Sequence, residues 1–255
     1  MEALERDIII GIHSIAEALK NPARNITRIV TTEEGIKELQ SRGGMNFAQI
    51  QNFEVKKVSP HQLQEMAKKI YAELGFNFNR VPSGIYLECE RLSDYDSAWL
   101  YDKVASGEVQ RILCLDKVTD VHNGAAILRT AAFYGVDAVI IASRGNFGSG
   151  PSFSRIASGA CEYVNIVRCS SLPKLILKLM KMGVSCIGFS EHATVEAKEV
   201  EKRLPMALIM GAEDVGLSNA VERVIEKRVA FKPLGEIKSL NVSVAAAVAM
   251  EMMFS

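Results

Sequence analysis

The chain has 255 residues, of which 48% are hydrophobic and only 7 are proline, so its composition is typical of a folded protein and excludes a disordered one. Thirty lysine and arginine residues balance thirty aspartate and glutamate residues, and the overall charge therefore gives no indication of a nucleic-acid partner. The length permits two modest domains or one large domain.

The cysteines and the N-terminus indicate where the protein works. The five cysteines form no C-x-x-C pair, and neither they nor the four histidines show the spacing of metal ligands. The first seven residues lack the pattern of a signal peptide, and no apolar run is long enough to span a membrane. We therefore expect a protein of the reducing cytoplasm that binds neither a metal nor a membrane.

Residues 1–91 alternate between strand-like and helix-like segments. Strands are predicted at 8–11, 26–31, 53–58 and 84–89, and helices at 13–19, 33–41 and 60–69, the last with Ser59 as its cap. Gly75 to Pro82 is predicted to be an exposed loop. This alternation predicts one small α/β domain. Residues 92–107 are polar and are predicted to be a linker, although Trp99 and Leu100 indicate that part of it packs on a domain.

Residues 108–255 repeat the alternation. Strands are predicted at 112–115, 138–142, 163–167, 184–189, 206–210 and 228–231, and helices at 125–134, 153–159, 172–182, 218–226 and 242–254. The strands are continuous apolar runs, as expected for a parallel sheet that is covered on both faces. The predicted fold class is therefore α/β, with a parallel sheet in the C-terminal domain.

Three segments of the second domain place polar side chains next to apolar strands or helices. They are Leu115 to Ala131, Ala207 to Ser218, and Ile237 to Ala245. Each polar residue taken alone has a structural interpretation, because asparagine and serine commonly cap helices or form turns. An isolated arginine or glutamate is usually a solvated surface charge. The order and separation of the three segments are more specific than any one residue.

In that order, the segments resemble the three signature motifs of the SpoU (TrmH-like) RNA ribose 2′-O-methyltransferases, which belong to the SPOUT class. The resemblance covers residues 108–255, and Gly11 to Leu19 is similar to the start of the RNA-binding domain of many members. It implies a parallel-sheet SPOUT domain with a deep trefoil knot, preceded by a small N-terminal α/β substrate-binding domain. General rules of topology disfavour knots, so the knot is implied by the resemblance alone.

The resemblance also implies the catalytic residues. Arg129 matches the arginine that activates the ribose 2′-hydroxyl; because a guanidinium loses its proton with difficulty, stabilising a developing alkoxide and holding a phosphate is the more conservative role. Asn123 matches the residue that orients this arginine. Glu213 matches the glutamate of the second motif, which would bind Arg129 or a loop of a partner subunit. Ser239 and Asn241 match the third motif, which completes the catalytic pocket.

The implied methyl donor is S-adenosylmethionine. Matching positions place it beside Gly211, whose missing side chain lets the backbone approach a ligand closely. Phe231, Leu234 and Leu240 would form an apolar slot for its adenine ring. Without the motifs, Phe231 and Leu240 would be interpreted as core residues.

A glycine-rich segment, Gly145 to Gly150, follows a predicted strand and precedes a predicted helix. Its spacing differs from the G-x-G-x-x-G fingerprint of dinucleotide-binding proteins, and in the family this region is a flexible loop on the substrate side. Arg144 and Arg155 flank the segment and are candidate contacts to RNA phosphates. An unrelated oxidoreductase that binds NAD here is one alternative function.

The chain departs from the family pattern at three positions. Val121 stands where the first motif usually has proline, and Ala125 stands where it has glycine, with Gly124 one place earlier. Asp214 stands where the second motif often has glycine or asparagine. None of these changes removes a candidate catalytic side chain, so they bear on the shape of the pocket and the rate of reaction.

The last predicted helix, Val242 to Phe254, is apolar nearly all round and must be buried on several sides. Together with the resemblance, it predicts a homodimer through the C-terminal domain. The implied activity is methyl transfer from S-adenosylmethionine to a ribose 2′-hydroxyl of structured RNA, with a guanosine of 23S ribosomal RNA as the first target. Transfer RNA is the second target, and a non-catalytic RNA-binding protein of the same fold is a further alternative.

Overall fold

A computed structural model describes residues 6–143, 147 and 150–255. The strands, in chain order, are β1 (Arg6–Ile10), β2 (Ile26–Thr31), β3 (Val55–Lys57), β4 (Ile85–Glu90), β5 (Arg111–Leu115), β6 (Ala138–Ala142), β7 (Asn165–Cys169), β8 (Ser185–Phe189), β9 (Val195–Glu196), β10 (Met206–Met210) and β11 (Lys227–Ala230). The α-helices are α1 (Ile12–Lys20), α2 (Glu33–Ser41), α3 (Phe47–Gln51), α4 (Pro60–Glu73), α5 (Ser97–Ala105), α6 (Val121–Phe133), α7 (Pro151–Ala157), α8 (Leu172–Lys181), α9 (Asn219–Glu222) and α10 (Val242–Phe254).

The chain divides into two compact units. The first comprises Met1–Ser93 and Gly148–Glu162, and the second comprises Asp94–Phe147 and Tyr163–Ser255. This division differs from the predicted ranges at two places. Residues 148–162 cluster with the N-terminal unit, and residues 94–107 cluster with the C-terminal one, where they contain a helix.

The first unit is a four-stranded sheet with helices on both faces. Its strand order is β1-β4-β2-β3, in which β2 and β3 are parallel and the other neighbours are antiparallel. Because successive side chains of a strand point to opposite faces, one face packs against α1, α2 and α3, and the other packs against α4. Ser59 caps α4 by accepting a hydrogen bond from the backbone N–H of Gln62, which confirms the predicted cap.

The segment from Gly150 to Glu162 belongs to this unit although it follows β6 in the chain. Glu162 Oε1 accepts a hydrogen bond from Arg24 Nη2 at 2.5 Å, and the two side chains are only 3% and 4% exposed. Ser14 Oγ also donates to the carbonyl oxygen of Ser154 at 2.7 Å. Breaking a buried ion pair leaves an uncompensated charge, so these contacts hold the segment in the first unit.

The second unit contains a seven-stranded sheet of order β7-β6-β5-β10-β8-β11-β9, and every neighbouring pair is parallel. The predicted parallel sheet is therefore confirmed. Helices α5, α8 and α9 contribute to the core on one side, and α10 packs on both α6 and β10. The trefoil knot that the resemblance implies is consistent with this fold. Burial raises the pKa of the Cys186 thiol in this core to about 12, and all five cysteines are free.

Most elements agree with the sequence prediction, and the bounds of β2, α2, β6, β10 and α10 are the same. Helix α5 lies within the segment that was predicted to be a linker. Asp96 caps it, and Leu100 and Val104 bury one face of it. Trp99 and Tyr101 also pack on the core, so the apolar positions extend beyond one face and blur the helical period. Helix α9 is shorter than predicted, and α3 and β9 were not predicted. Within the described residues, no helix is long and apolar enough to cross a membrane.

Candidate active site

Asn123, Glu213 and Asn241 come from distant parts of the chain and form one hydrogen-bonded cluster. Asn241 Nδ2 donates to Glu213 Oε2 at 2.9 Å and to Asn123 Oδ1 at 3.1 Å. Asn123 Nδ2 donates to the same Glu213 oxygen at 3.2 Å. A carboxylate accepts only, whereas an amide side chain both donates and accepts, so the three groups are chemically complementary. The cluster links the beginning of α6, the turn after β10 and the beginning of α10.

Side-chain caps fix both helices of this cluster. Asp120 Oδ1 accepts a hydrogen bond from the backbone N–H of Asn123 at 2.7 Å, at the start of α6. Asn241 Oδ1 accepts hydrogen bonds from the backbone N–H and the hydroxyl of Ser243, at 2.9 and 2.6 Å, at the start of α10. Asn241 therefore caps a helix through its oxygen and binds the cluster through its nitrogen. The structural and functional interpretations of this residue are compatible.

Gly211 lies at the end of β10, where the chain turns tightly. The backbone N–H groups of Ala212 and Gly216 each donate to the other residue's carbonyl oxygen, at 3.0 and 2.9 Å. A Cβ atom at Gly211 would lie only 2.1 Å from the carbonyl carbon of Gly216. The turn itself therefore requires glycine at this position, and the same turn carries Glu213 to the cluster.

A cavity of about 420 Å³ lies beside this turn. Phe231 forms part of its wall and packs at a tilt of 31° against Phe189, with the ring centroids 5.1 Å apart. Leu234 and Leu240 also line it, although they are 97% and 47% exposed. All four residues that were predicted to hold the cofactor border this one cavity. Ser239 lines it as well, with an exposed side chain that makes no hydrogen bond to the described residues.

Arg129 lies apart from the cluster. It follows Asn123 by six residues on α6, which places it about 9 Å farther along the helix and about 120° around the helix axis. Its side chain is exposed and makes no hydrogen bond or ion pair with any residue that the structure describes. Within the single chain, the predicted contacts of Asn123 and Glu213 with Arg129 are therefore not formed, and both residues bind Asn241 instead.

The two arginines that were predicted to contact RNA phosphates flank the glycine-rich segment. Arg144 lies outside the described residues, as does most of Gly145 to Gly150. Arg155 lies on α7 in the first unit, where its side chain is exposed and passes close to Gly11. Its contact with RNA stays a prediction.

Two residues that the motifs did not single out support the site. Asp116 follows β5 directly and is 6% exposed; its Oδ2 accepts a hydrogen bond from the backbone N–H of Ser218 at 2.6 Å. Its own N–H donates to the carbonyl oxygen of Met210 at 2.8 Å. Phe147 covers the start of α6, because a Cβ atom at Gly124 would lie 2.4 Å from its ring. The sequence could have indicated Asp116, because an aspartate directly after an apolar strand is a recognisable signal. No local pattern indicates Phe147.

The three departures from the family pattern leave the cluster intact. Val121 begins α6, Ala125 is fully buried within it, and Asp214 is exposed in the turn after β10. The helix accommodates the buried methyl group of Ala125, whereas a Cβ atom at Gly124 would lie 2.4 Å from the ring of Phe147. Among the described residues, no group of three or more histidine, cysteine, aspartate or glutamate side chains is arranged to hold a metal ion.

Comparisons with known proteins match both units. A family model described as the SpoU rRNA Methylase family matches residues 110–251, and one described as RNA 2′-O ribose methyltransferase substrate binding matches residues 8–70. A Staphylococcus aureus (strain MSSA476) protein, named for the TrmH family of tRNA/rRNA methyltransferases, is 28% identical over 253 residues, covering 98% of this chain and 96% of the relative. The 23S rRNA (guanosine-2′-O-)-methyltransferase RlmB of Vibrio parahaemolyticus is 28% identical over 249 residues, covering 97% and 96%.

Solved structures share the fold. The SpoU methyltransferase AviRb of Streptomyces viridochromogenes, in complex with the cofactor AdoMet, has a TM-score of 0.74 and 18% identity, covering 97% of this chain and 88% of that chain. An AdoMet-bound rRNA methyltransferase of Sinorhizobium meliloti has a TM-score of 0.65 and 17% identity, covering 97% and 86%. At this identity the likeness establishes the fold and leaves the function to be argued from the site.

Proposed function

The chain belongs to the SpoU rRNA methylase family, and from this premise we propose that it methylates a ribose 2′-hydroxyl of structured RNA. It is an RNA methyltransferase that depends on S-adenosylmethionine. The target that we favour is a guanosine of 23S ribosomal RNA, because a relative named for that activity aligns with nearly the whole chain. Transfer RNA is the second candidate, since the name of the Staphylococcus relative includes both substrates. We place this reaction in the cytoplasm, in accord with five free thiols.

The observation that carries the proposal is the polar cluster of Asn123, Glu213 and Asn241 beside the cavity. The cavity volume of about 420 Å³ suits a small-molecule ligand, for which sites of roughly 300–1,000 Å³ are usual. Its aromatic and aliphatic wall at Phe231 and Leu240 fits an adenine ring, and the backbone of the turn after Gly211 is close enough to offer main-chain hydrogen bonds. When bound there, S-adenosylmethionine supplies an electrophilic methyl group.

The residues of the chain position the acceptor oxygen and stabilise its charge. In-line placement of the ribose oxygen is mostly a problem of orientation, and the cluster holds the turn and two helix starts in one arrangement. A guanidinium group carries a positive charge and five N–H donors, so we assign Arg129 to stabilising negative charge on the 2′-oxygen and holding a neighbouring phosphate. The exposed hydroxyl of Ser239 at the edge of the cavity is available to bind the substrate.

We propose that the active form is a homodimer through the second unit. Phe133 on α6 is 81% exposed and Val244 on α10 is 48% exposed, and these two helices pack on each other. Large exposed apolar side chains on adjoining helices are typical of a protein–protein interface. Arg129 precedes Phe133 by one helical turn and shares its face. Dimer formation would therefore carry Arg129 toward the site of the partner, which accounts for its separation from Glu213 in the single chain.

The test is methyl transfer from labelled S-adenosylmethionine to total RNA from cells that lack this protein. We expect label in 23S ribosomal RNA that survives alkaline hydrolysis as a methylated dinucleotide, because a 2′-O-methyl group blocks cleavage of the adjoining phosphodiester. Arg129→Ala should abolish the label and retain cofactor binding. Arg203→Ala, which removes another exposed arginine of the second unit, is the matched control and should retain both.

Each other outcome has a defined meaning. Label confined to transfer RNA would replace the ribosomal target with the second candidate. Labelled RNA that alkali cleaves completely would mean that the methyl group is on a base, which contradicts the ribose assignment. Cofactor binding without transfer to naked RNA or to immature ribosomal particles would favour the non-catalytic RNA-binding protein.

A further inference from the structure

The first unit contains a second cavity, of about 470 Å³, within one compact body of the protein. It lies between the start of α4 and the segment that leads from α4 into β4. Neither the catalytic cluster nor the matched substrate-binding range, residues 8–70, includes that segment. The lining residues that matter for its chemistry are Gln64, Phe78, Asn79, Arg80, Ser83 and Gly84.

Contacts with α4 hold the segment that forms the wall of this cavity. The side-chain amide of Gln64 binds Val81 twice, since its Nε2 donates to the carbonyl oxygen at 3.1 Å and its Oε1 accepts from the N–H at 2.9 Å. Phe78 packs edge-to-face on Tyr71, with the ring centroids 5.2 Å apart and the planes at 87°. The segment from Phe78 to Val81 is therefore anchored at both ends, although it has no regular secondary structure.

The floor of the cavity has an unusual backbone. Ser83 has a φ of 59°, in the left-handed region that residues with a side chain seldom adopt. Gly84 follows with the same φ, and a Cβ atom there would lie 2.5 Å from the hydroxyl oxygen of Thr32. The carbonyl oxygen of Gly84 accepts a hydrogen bond from the N–H of Thr32 at 2.8 Å. The lining of the cavity thus includes a left-handed turn at Ser83 and Gly84.

The groups at the rim have no partner within the described residues. The side chains of Asn79 and Arg80 are exposed and make no hydrogen bond or ion pair there, and Phe78 between them and α4 is half-buried. Arg80 is the one charged residue in the described lining. The first turn of α4, which supplies Pro60 to the lining, contains no acidic residue, so the positive end of this helix is not neutralised there. The rim therefore combines an aromatic ring, an amide and an arginine that forms no ion pair with the described residues.

We propose that this cavity, formed by Gln64 and the segment Phe78 to Gly84, binds one unpaired nucleotide of the RNA substrate. The inference rests on the proposed function. Single-stranded nucleotides are recognised by stacking of the base on aromatic rings and by hydrogen bonds to the base edge. The Phe78 ring contacts the base, the Asn79 amide binds its edge, and the Arg80 guanidinium binds the adjoining phosphate. The first unit thereby selects RNA that carries an unpaired nucleotide.

The experiment measures binding of the full-length protein to the methyl-accepting RNA fragment and to a fully paired duplex of equal length. We expect Arg80→Ala to raise the Kd for the fragment about fivefold and to lower the slope of log Kd against log salt by about one. Phe78→Leu, which keeps an apolar contact with Tyr71, should raise this Kd roughly tenfold with an unchanged slope. In steady-state assays, both changes should raise the KM for RNA and leave kcat and cofactor binding unchanged.

The matched control is Arg42→Ala, because Arg42 is an exposed arginine at the opposite end of α2 from Thr32. It should bind both RNAs as the wild type does. Equal Kd values for Arg80→Ala and Arg42→Ala, with full methylation by both, would contradict the proposed nucleotide site and would leave the proposed function unaffected. A preference for the fragment over the duplex that persists in Phe78→Leu would also overturn it. Fragment binding that depends on Arg80 and Phe78 without methyl transfer would support the cavity and contradict the proposed activity.

Discussion

Asn241 and Glu213 are joined by a hydrogen bond of 2.9 Å across 28 residues of sequence. Because the same asparagine caps α10 through its oxygen, the turn after β10 cannot move without disturbing the start of the last helix. Asn123 completes the arrangement from α6. A site built from three elements in this way is preorganised, which is the property that positioning catalysis needs.

The pairing of Asn241 with Glu213 can be tested by exchanging charge. Asn241→Asp places a second carboxylate where an amide now donates at 2.9 Å, and we expect methyl transfer to fall about tenfold or more because like charges repel. Glu213→Gln in the same chain restores a donor facing an acceptor and should recover part of the rate. Steady-state methylation of the single and double variants measures this. If the double variant loses as much rate as the two single variants combined, the two residues act independently and the cluster is not a functional unit.

The glycine at the end of β10 should be intolerant of any side chain. A Cβ atom at Gly211 would lie 2.1 Å from the carbonyl carbon of Gly216, so Gly211→Ala must open the turn. We expect cofactor affinity to fall by about tenfold or more, measured by calorimetric titration. Gly235→Ala is the control in a neighbouring loop of the same cavity, because a Cβ atom there meets nothing within 4 Å. Equal affinities in the two variants would show that the turn does not shape the cofactor site.

The proposed dimer predicts a change of mass in solution. Phe133 is 81% exposed on α6, and Phe133→Glu would bury a charge in the interface, which is costly without a partner. We expect the wild type to sediment as a dimer and this variant as a monomer with reduced methyl transfer. Phe47→Glu, at a residue 59% exposed in the first unit, should remain dimeric. A monomeric wild type at assay concentrations would contradict the proposal.

One partly buried carboxyl in the first unit, that of Asp7, should make stability depend on pH. Desolvation raises the pKa of Asp7 above its ordinary value of 3.8, against the opposing effects of the Ile8 N–H, Arg24 and Arg91. A raised folded pKa means that the protonated form favours folding and that this contribution is lost as pH rises through the folded pKa. Asp7→Asn cannot ionise and keeps an acceptor for the Ile8 N–H, so we expect it to unfold at a higher temperature than the wild type at neutral pH.

That advantage should shrink toward about pH 3, where the wild-type carboxyl is itself protonated. Thermal unfolding, followed by circular dichroism at several pH values between about 3 and neutral, measures the difference in unfolding temperature between Asp7→Asn and the wild type. Asp102→Asn, at an exposed position of α5, should show no such trend. A lower unfolding temperature for Asp7→Asn at neutral pH would mean that attraction to Arg24, 3.8 Å away, outweighs desolvation.

The fold and the family could be predicted from local information. Strands β6 and β10 are buried on both faces, so their consecutive residues are all apolar. Such continuous apolar runs are typical of a parallel sheet, which was therefore predictable. The motifs also placed Gly211, Phe231, Leu234 and Leu240 in one ligand site, and they do border one cavity. Helix α5 was not predicted, because Trp99 and Tyr101 extend its apolar positions beyond the buried face and blur the helical period.

Which residues meet was decided by the tertiary structure. Glu213 is 90 residues from Asn123, and Arg24 is 138 residues from Glu162, yet each pair is in hydrogen-bonding contact. Sequence motifs place Arg129 with Glu213, whereas helix geometry separates them within one chain. A residue's own neighbours in sequence determine whether it lies in a strand or helix and which way it faces. Its partner across the molecule depends on how all the elements pack at once, and that is a property of the folded chain alone.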